Sequence, residues 1–277
     1  EVNLVTRRVM NPTVQEPIVN LPETLLIKGE PGPTKTVQIK GLDTERLMAL
    51  SKDKLFLDES EMHTIQEYFE SLDRDPTDCE LEIIAARNSE HCGHKTFKAK
   101  VIVDGVEKKP LIERIKEAAY PYFASAGVVT AFEDNSGGMD FFEDLVVLAK
   151  VETHNSPSAI EPRGGAMTGT GGVVRDIIGT GKVAKTILST DMFFFAPPDL
   201  DPAKLPPGTL PPDYLFTHVV GGVRDYGNPL GIPTANGSVH FHENARAKPS
   251  VIVGAYGIIP KERAQKGYPE IGDLVIA

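Results

Sequence analysis

Three segments of the sequence combine residues that can move protons, hold a metal ion or bind phosphate. The first covers residues 88–95, reads NSEHCGHK, and places His91 and His94 at the end of a predicted helix. Histidine changes charge near neutral pH, so a pair at a helix end suits acid–base catalysis. Two alternatives are a zinc site built from His91, Cys92 and His94, and partly exposed histidines beside a structural cysteine. Zinc sites usually take four ligands in two separated pairs, and no second pair of this kind is found in the sequence.

The second segment covers residues 150–157, reads KVETHNSP, and follows a predicted buried strand. Loops at the ends of strands are where α/β folds expose functional groups. Lys150 and Glu152 are two residues apart, so both side chains point to the same side of the strand. They can form an ordinary ion pair, or a phosphate-binding cation beside a magnesium ligand with His154 placed to act as a base.

The third segment covers residues 164–176, reads GGAMTGTGGVVRD, and ends in Arg175 and Asp176. Glycines let a backbone approach a ligand closely and aim N–H groups at anionic oxygens. Arginine can clamp a phosphate, and aspartate can hold a metal ion. The segment lacks the Gly-Lys-Ser/Thr of a Walker A loop and the spacing of a dinucleotide fingerprint. A flexible surface loop and a helix packed tightly against a strand are the structural alternatives.

Helices must position the first of these segments. Before residue 95 the apolar side chains recur at helical spacing, and they predict helices over residues 44–50, over 59–72, and from 77 towards 91. Each predicted helix is preceded by a side chain that can cap it, namely Asp43, Asp58 or Thr77. Glu80 completes a capping box with Thr77.

Alternating strands and helices must position the other two segments. Strands are predicted at residues 36–39, 97–103, 128–132, 145–151, 192–196 and 250–258, and helices at 111–119 and 212–225. Turns are predicted at Asp104 with Gly105 and over residues 136–138. The strand at 145–151 is continuously apolar, which predicts burial on both faces. The pattern from residue 96 onward is typical of a mixed α/β or α+β domain of about 180 residues.

The composition excludes several classes of protein. The 277 residues are 40% hydrophobic and 25% charged, which argues against wholesale disorder or a coiled coil. The net charge of −10 argues against a general nucleic-acid binder. No apolar run reaches about 18 residues, so no membrane span is predicted, and two cysteines favour a reducing cytoplasm. The chain starts at Glu1 and stops in the apolar run 273–277, so we expect a piece of a longer protein.

Taken in order, the segments resemble the phosphoribosylformylglycinamidine synthase family, the formylglycinamide ribonucleotide amidotransferases of purine biosynthesis. The matching pieces are residues 89–92, 150–155, 169–176, 226–228 and 231–234, and residues 41–69 with 74–78 are similar to the family's linker region. The resemblance covers roughly residues 36–277. It implies an extended segment over residues 1–40, a helical linker domain over 41–95 and a synthetase subdomain over 96–277. That subdomain would be a ferredoxin-like α/β unit of the aminoimidazole-ribonucleotide-synthetase-like superfamily, half of a β-barrel, truncated at its C-terminal end.

The resemblance also implies an ATP- and Mg²⁺-dependent ligase. Family members activate the amide oxygen of formylglycinamide ribonucleotide and replace it with ammonia from a glutaminase domain or subunit. Phosphorylation turns a poor leaving group into phosphate, and a metal ion, a lysine and an arginine can stabilise the charge that develops. The implied partners are this substrate, the ammonia source and a possible homodimer formed through the sheet. The fragment alone would be inactive.

Position by position, the resemblance assigns a role to residues of each segment. His91 and His154 correspond to catalytic histidines, with His154 as the proton acceptor. The positions that correspond to ATP contacts are His94 and Lys150. The positions that correspond to magnesium ligands are Glu152 and Asp176. The positions that correspond to substrate contacts are Thr153, His154, Asn155, Ser156 and Arg175. Ser156 departs from the family, because many members have a second histidine there.

Two other hypotheses stay open at this point. One is another ATP-dependent synthetase of the same superfamily, such as an aminoimidazole ribonucleotide synthetase or a selenophosphate synthetase. The SEHC motif at residues 89–92 argues against it. The other is a non-catalytic binding or assembly module that keeps the fold, which a failure of the full-length protein to consume ATP would favour.

Overall fold

The structure is a computed structural model that describes residues 10–11, 14–15, 17–18, 20, 24 and 29–274. Most of the predicted extended segment 1–40 and the end of the run 273–277 lie outside the described residues. The chain divides into two compact units, residues 22–121 and residues 122–277 together with 1–21. Each unit has its own hydrophobic core. No helix in the described part of the chain is long and apolar enough to cross a bilayer.

The unit 22–121 is mainly helical. Its helices are α1 (Thr44–Ser51), α2 (Glu59–Ser71), α3 (Asp78–Arg87), α4 (Glu90–Gly93), α5 (Lys95–Lys98) and α6 (Leu111–Ala119). A small hairpin consists of β1 (Val101–Val103) and β2 (Val106–Lys108). The core is built from the apolar stripes of α1, α2 and α3, with Leu47, Met62 and Phe69 almost completely buried. Burial of these stripes holds together helices that are individually short.

The three predicted caps are confirmed. Asp43 caps α1 through its side chain, and capping boxes join Asp58 to Glu61 and Thr77 to Glu80. Each cap supplies acceptors for backbone N–H groups that have no partner within the first turn of a helix. Helix starts in this unit are therefore local features of the sequence.

The strand predicted over residues 36–39 is wrong. Only Thr36 forms an isolated bridge, to Thr77, and no strand follows. The backbone N–H of Ile39 instead donates to the Asp75 carboxylate at 2.9 Å. A side-chain acceptor thus satisfies a backbone donor that a neighbouring strand would otherwise have to satisfy.

Two further boundaries of this unit differ from the prediction. The helix expected to run towards His91 ends at Arg87, and His91 lies in the separate short helix α4. The strand expected over residues 97–103 is limited to β1, because its first residues belong to α5. The predicted turn at Asp104 and Gly105 is confirmed, with left-handed φ values of 52° and 76°.

The unit 122–277 contains a six-stranded mixed sheet. Its strands are β3 (Val128–Thr130), β4 (Gly137–Asp140), β5 (Leu145–Thr153), β6 (Lys185–Phe195), β7 (Thr234–Phe241) and β8 (Ser250–Pro260). Its helices are α7 (Asn155–Ile160), α8 (Pro162–Ile178) and α9 (Pro212–Gly227). The sheet order is β3-β4-β5-β8-β6-β7, and every neighbouring pair is antiparallel except β6 and β7. The predicted order of a helical region followed by an α/β unit is confirmed.

Helices α8 and α9 cover one face of this sheet, and no described element of this unit covers the other face. On β5, Val146 and Leu148 are fully buried in the core shared with the helices, whereas Val151 is 60% exposed. The prediction that this strand is buried on both faces is therefore wrong. We call the uncovered side the open face, and its exposed apolar residues include Val151, Met192, Phe194 and Tyr256.

The predicted turn over residues 136–138 is also wrong, because β4 begins at Gly137 and pairs with β5. A Cβ at Gly138 would lie 2.7 Å from Leu148 Cδ2, so glycine is required for this close strand packing. The strands predicted at residues 192–196 and 250–258 are confirmed and are longer, since they extend over Lys185–Phe195 and Ser250–Pro260.

Replacing Thr77 with alanine should destabilise the unit 22–121. The Thr77 hydroxyl accepts a hydrogen bond from the Glu80 backbone N–H at 3.2 Å, and alanine cannot do so. We expect the free energy of unfolding to fall by about 1 kcal/mol, measured by urea denaturation followed by circular dichroism. Thr64→Ala is the matched control, because its exposed hydroxyl donates to Ser60 O within α2 and caps no helix start. Equal losses in both variants would contradict the prediction.

Candidate functional site

The glycine-rich segment 164–176 forms most of α8, so the surface-loop alternative is wrong and tight packing of a helix against a strand is confirmed. A Cβ at Gly169 would lie 3.0 Å from the His154 side chain. A Cβ at Gly172 would lie 2.9 Å from Glu152 Oε2. These glycines leave the space in which the polar side chains at the end of β5 lie against the helix.

A charged cluster of three side chains lies where β5 meets α8. Lys150 Nζ lies 2.9 Å from Asp176 Oδ2 and 3.7 Å from Glu152 Oε1. The predicted placement of Lys150 and Glu152 on one side of the strand is thus confirmed. All three side chains are between 24% and 34% exposed, so solvent screens their interactions only partly. One ammonium between two carboxylates leaves a net negative charge that a bound cation can neutralise.

The donor set of this cluster fits magnesium bound together with phosphate. Mg²⁺ keeps several waters and is usually held by one or two carboxylates plus substrate phosphates. Glu152 and Asp176 are two such carboxylates. No group of three or more His, Cys, Asp or Glu side chains that could hold a metal ion occurs among the described residues. The arrangement therefore suits an ion that shares its ligands with a nucleotide.

The loop after β5 is anchored to the start of β8. The backbone N–H of His154 donates to Val251 O at 2.8 Å, and Asn155 Oδ1 accepts from Val251 N at 2.8 Å. The Asn155 side-chain oxygen is therefore engaged within the protein. Its amide N–H₂ group has no partner in the described part of the chain, so it can still bind a ligand.

The His154 imidazole is half-buried, and its Nδ1 atom is buried without a hydrogen-bond partner among the described residues. Buried polar atoms in proteins are nearly always hydrogen-bonded, and exceptions are typical of sites that a ligand or water completes. The ring is held against α8 at Gly169. This combination of a fixed ring and an unsatisfied nitrogen suits a residue that exchanges protons with a bound reactant.

The other predicted substrate contacts lie at the surface of the same unit. Thr153 and Ser156 are exposed, and Ser156 Oγ lies 3.4 Å from Lys248 Nζ. The Arg175 guanidinium is exposed and forms no hydrogen bond or ion pair within the described residues. An unpaired guanidinium next to Asp176 is available for an anionic ligand.

His91 and His94 lie in the unit 22–121, whereas all the other predicted site residues lie in the unit 122–277. Both histidines are exposed. His94 precedes α5 with φ 51°, a left-handed conformation that residues other than glycine seldom adopt. Such backbone conformations are more frequent at functional sites than elsewhere.

Sequence reasoning missed Asp191, a buried acid on β6. It is 5% exposed, the Thr234 hydroxyl donates to its Oδ2 at 3.2 Å, and its Oδ1 has no partner among the described residues. Burial raises the pKa of Asp191 to about 6, and the hydrogen bond from Thr234 lowers it only partly. The signal in the sequence is an aspartate directly before the apolar run 192–196, where strand alternation places it on the inner face with Phe193.

The chain matches two family models, one in each of its two units. Residues 133–259 match the family model of the AIR synthase related protein, N-terminal domain. Residues 47–95 match the model of the formylglycinamide ribonucleotide amidotransferase linker domain. The predicted fold class, a helical linker followed by an α/β domain of this superfamily, is confirmed.

The similar individual proteins point to one family more specifically than the two domain models do. The chain is 37% identical over 245 residues to the phosphoribosylformylglycinamidine synthase subunit PurL of Thermoplasma acidophilum, a match that covers 87% of this chain and 30% of the relative. It is 36% identical over 208 residues to the same subunit of Caldanaerobacter subterraneus, which covers 74% of this chain and 24% of that relative. The solved structure of Thermotoga maritima PurL complexed with FGAR is 27% identical over 73% of this chain and 26% of its own, with a TM-score of 0.48. The predicted resemblance is confirmed, and the chain spans less than a third of the length of these curated relatives.

Replacing Asp191 with asparagine should stabilise the protein in a pH-dependent way. A carboxyl with a folded-state pKa of about 6 and an unfolded-state pKa of about 3.9 destabilises the fold increasingly as pH rises between those values. We expect Asp191→Asn to be more stable than the parent protein by up to about 3 kcal/mol at pH 8, and to lose this advantage near pH 4. Urea denaturation at a series of pH values measures the difference.

The charged side chains near Asp191 do not change the expected pH dependence of stability. Arg224 and Asp191 line one cavity, but Arg224 is paired with Asp225, and Glu152 is separated from Asp191 by the intervening strand β8. Asp199→Asn is the matched control, because Asp199 is exposed on the loop that follows β6. A stability difference for Asp191→Asn that is the same at pH 4 and pH 8 would show that the carboxyl does not titrate as stated.

Proposed function

We propose that this chain is the N-terminal part of a ligase that uses ATP and Mg²⁺ to convert formylglycinamide ribonucleotide to formylglycinamidine ribonucleotide. The observation that carries the proposal is the cluster of Lys150, Glu152 and Asp176 at the end of β5. The names of the PurL relatives give the product, the description of the linker-domain model gives formylglycinamide ribonucleotide as the substrate, and glutamine-derived ammonia would be the nitrogen source. Because the chain spans less than a third of those relatives, the proposal concerns the full-length cytoplasmic protein. The 277 residues alone would be inactive.

The cluster suits activation of an amide oxygen by phosphorylation. The ammonium of Lys150 pairs with the two carboxylates in the absence of nucleotide and offsets one of their two charges, and it can donate to phosphate oxygens once they are present. A magnesium ion held by Glu152 and Asp176 would supply positive charge beside the transferred phosphoryl group. Arg175, exposed and unpaired within the described residues, would bind an anionic part of the substrate.

His154 would accept a proton when ammonia attacks the activated carbon. The new C–N bond forms as the C–O bond to phosphate breaks, so phosphate leaves and the ammonium-like nitrogen must lose a proton. The buried Nδ1, which has no hydrogen-bond partner among the described residues, and the fixed ring support this role. Thr153, Asn155 and Ser156 on the same loop would bind the substrate. In the unit 22–121, His91 would be the second catalytic histidine and His94 an ATP contact.

The open face of the sheet requires a partner in this proposal. Val151, Met192, Phe194 and Tyr256 expose between 36% and 60% of their surface on one side of the sheet. Contiguous apolar surface of this kind is typical of an interaction site. We propose that a second sheet covers it, either from the rest of the full-length protein or from a second copy in a homodimer.

Removing either carboxylate of the cluster should abolish magnesium-dependent activity. We expect Asp176→Asn and Glu152→Gln in the full-length protein to lower kcat/KM for Mg-ATP by at least about a hundredfold. The measurement is ADP release with formylglycinamide ribonucleotide and ammonia across a magnesium titration. Asp140→Asn is the matched control, because it breaks a surface pair in which Lys261 Nζ lies 2.6 Å from Asp140 Oδ1. Unchanged turnover in both cluster variants would refute the proposal.

A methyl group at Gly172 should displace Glu152 without unfolding the protein. The Cβ would lie 2.9 Å from Glu152 Oε2, which is the end of a flexible side chain and can move. We expect Gly172→Ala to raise the magnesium concentration that gives half-maximal rate by about tenfold, while the far-UV circular dichroism spectrum stays unchanged. Gly221→Ala on α9 is the matched control, since the nearest atom to its Cβ would be Arg224 Nη2 at 4.0 Å. Equal kinetics for the two variants would mean that the glycine does not position Glu152.

A further inference from the structure

The loop that connects β7 to β8 ends beside the loop that follows β5. On it, Lys248 Nζ lies 3.4 Å from Ser156 Oγ. Pro249 comes next and is buried, and the backbone N–H of Val251 donates to Asn155 Oδ1 at 2.8 Å. The backbone that carries Lys248 is therefore fixed next to the residues that follow β5.

The ammonium group of Lys248 has no carboxylate partner among the described residues. The loop between β7 and β8 contains one acid, Glu243, and its Oε1 lies 3.2 Å from Lys204 Nζ. An ammonium has three N–H donors, and the Ser156 hydroxyl takes only one of them. Because the Lys248 side chain is exposed, the remaining donors are accessible to a ligand.

The neighbouring side chains on the loop after β5 are also donors. The Asn155 Oδ1 atom is occupied by Val251 N, so the N–H₂ group is the part of this amide that can bind a ligand. The Ser156 hydroxyl accepts from Lys248 and can still donate its own proton. An ammonium, an amide N–H₂ group and a hydroxyl favour an anionic ligand, whereas a cation or a metal ion would require oxygen acceptors.

We propose that Lys248 is a substrate-binding residue that recognises the phosphate group of the ribonucleotide substrate. This inference rests on the proposed function and adds a residue between β7 and β8 to the substrate contacts. A phosphate monoester carries about −1.5 to −2 charges near neutral pH and has three acceptor oxygens, which match these donors. The phosphates of ATP have the same chemistry, but the cluster of Lys150, Glu152 and Asp176 is the group proposed to bind them, on the α8 side of β5.

Comparing the ribonucleotide with its ribonucleoside, which lacks the phosphate, tests the contact. The assay is ADP release by the full-length protein with Mg-ATP and ammonia. We expect Lys248→Ala to raise KM for formylglycinamide ribonucleotide by at least about tenfold, while kcat and KM for ATP stay within about twofold of the parent values. The kcat/KM for the ribonucleoside should not change, because it has no phosphate for Lys248 to bind.

Lys185→Ala is the matched control. Lys185 is also exposed and has no ion pair among the described residues, but it lies opposite Ile258, at the far end of β8 from Lys248. This variant should leave all the kinetic constants unchanged. Lys248→Arg keeps the positive charge and should restore most of the affinity for the ribonucleotide, which separates a charge contact from a loss of local packing.

Equal losses for the ribonucleotide and the ribonucleoside would overturn the inference, because Lys248 would then act only by holding the loop through Ser156. A rise in KM for ATP in place of the ribonucleotide would also overturn it. Unchanged kinetics in Lys248→Ala, with an active parent protein, would refute the role of Lys248 and leave the proposed function intact. A parent protein that does not turn over the ribonucleotide would refute both.

Discussion

The close approach of α8 to the sheet is the constraint on which the candidate site depends. A helix normally keeps its neighbours at the distance that its side chains impose. Here Gly169 and Gly172 present no side chain, so His154 and Glu152 fit between strand and helix. On the sheet side, a Cβ at Gly257 would lie 2.3 Å from an α8 side chain, that of Ile177. Glycine weakens a helix in isolation, and the tertiary packing of this helix offsets that loss.

The same geometry explains the electrostatics of the cluster. Gly169, Gly172 and Asp176 are spaced by three and four residues, so they lie on one face of α8. Gly172 lets this face of α8 lie against β5. One turn later, the same face carries Asp176, whose Oδ2 therefore lies 2.9 Å from Lys150 Nζ. Partial burial strengthens the Lys150–Asp176 pair relative to a surface pair. Glu152 adds a second carboxylate, so the cluster as a whole has a net negative charge.

Much of the fold follows from local patterns in the sequence. The caps at Asp58 and Thr77 and the helix over residues 111–119 are confirmed because a few neighbouring residues decide them. The same-side placement of Lys150 and Glu152 is confirmed because it follows from strand geometry alone. The predicted strand over 36–39 is wrong, because the backbone N–H of Ile39 donates to the carboxylate of Asp75, which is distant in the sequence. The helical state of the glycine-rich segment does not follow from the sequence alone, because low helix propensity and dense packing predict opposite outcomes there.

The sequence by itself determined the order of the elements, their starts, the residue types at the site and the family resemblance, because these depend on short-range pattern. Only the tertiary structure decided that Lys150 meets Asp176, that one face of the sheet exposes apolar side chains, and that Asp191 is buried with one oxygen unpartnered among the described residues. Each of these depends on the distance between elements that are far apart in the chain. Such distances are set by how side chains pack and exclude water, and a linear pattern does not contain them.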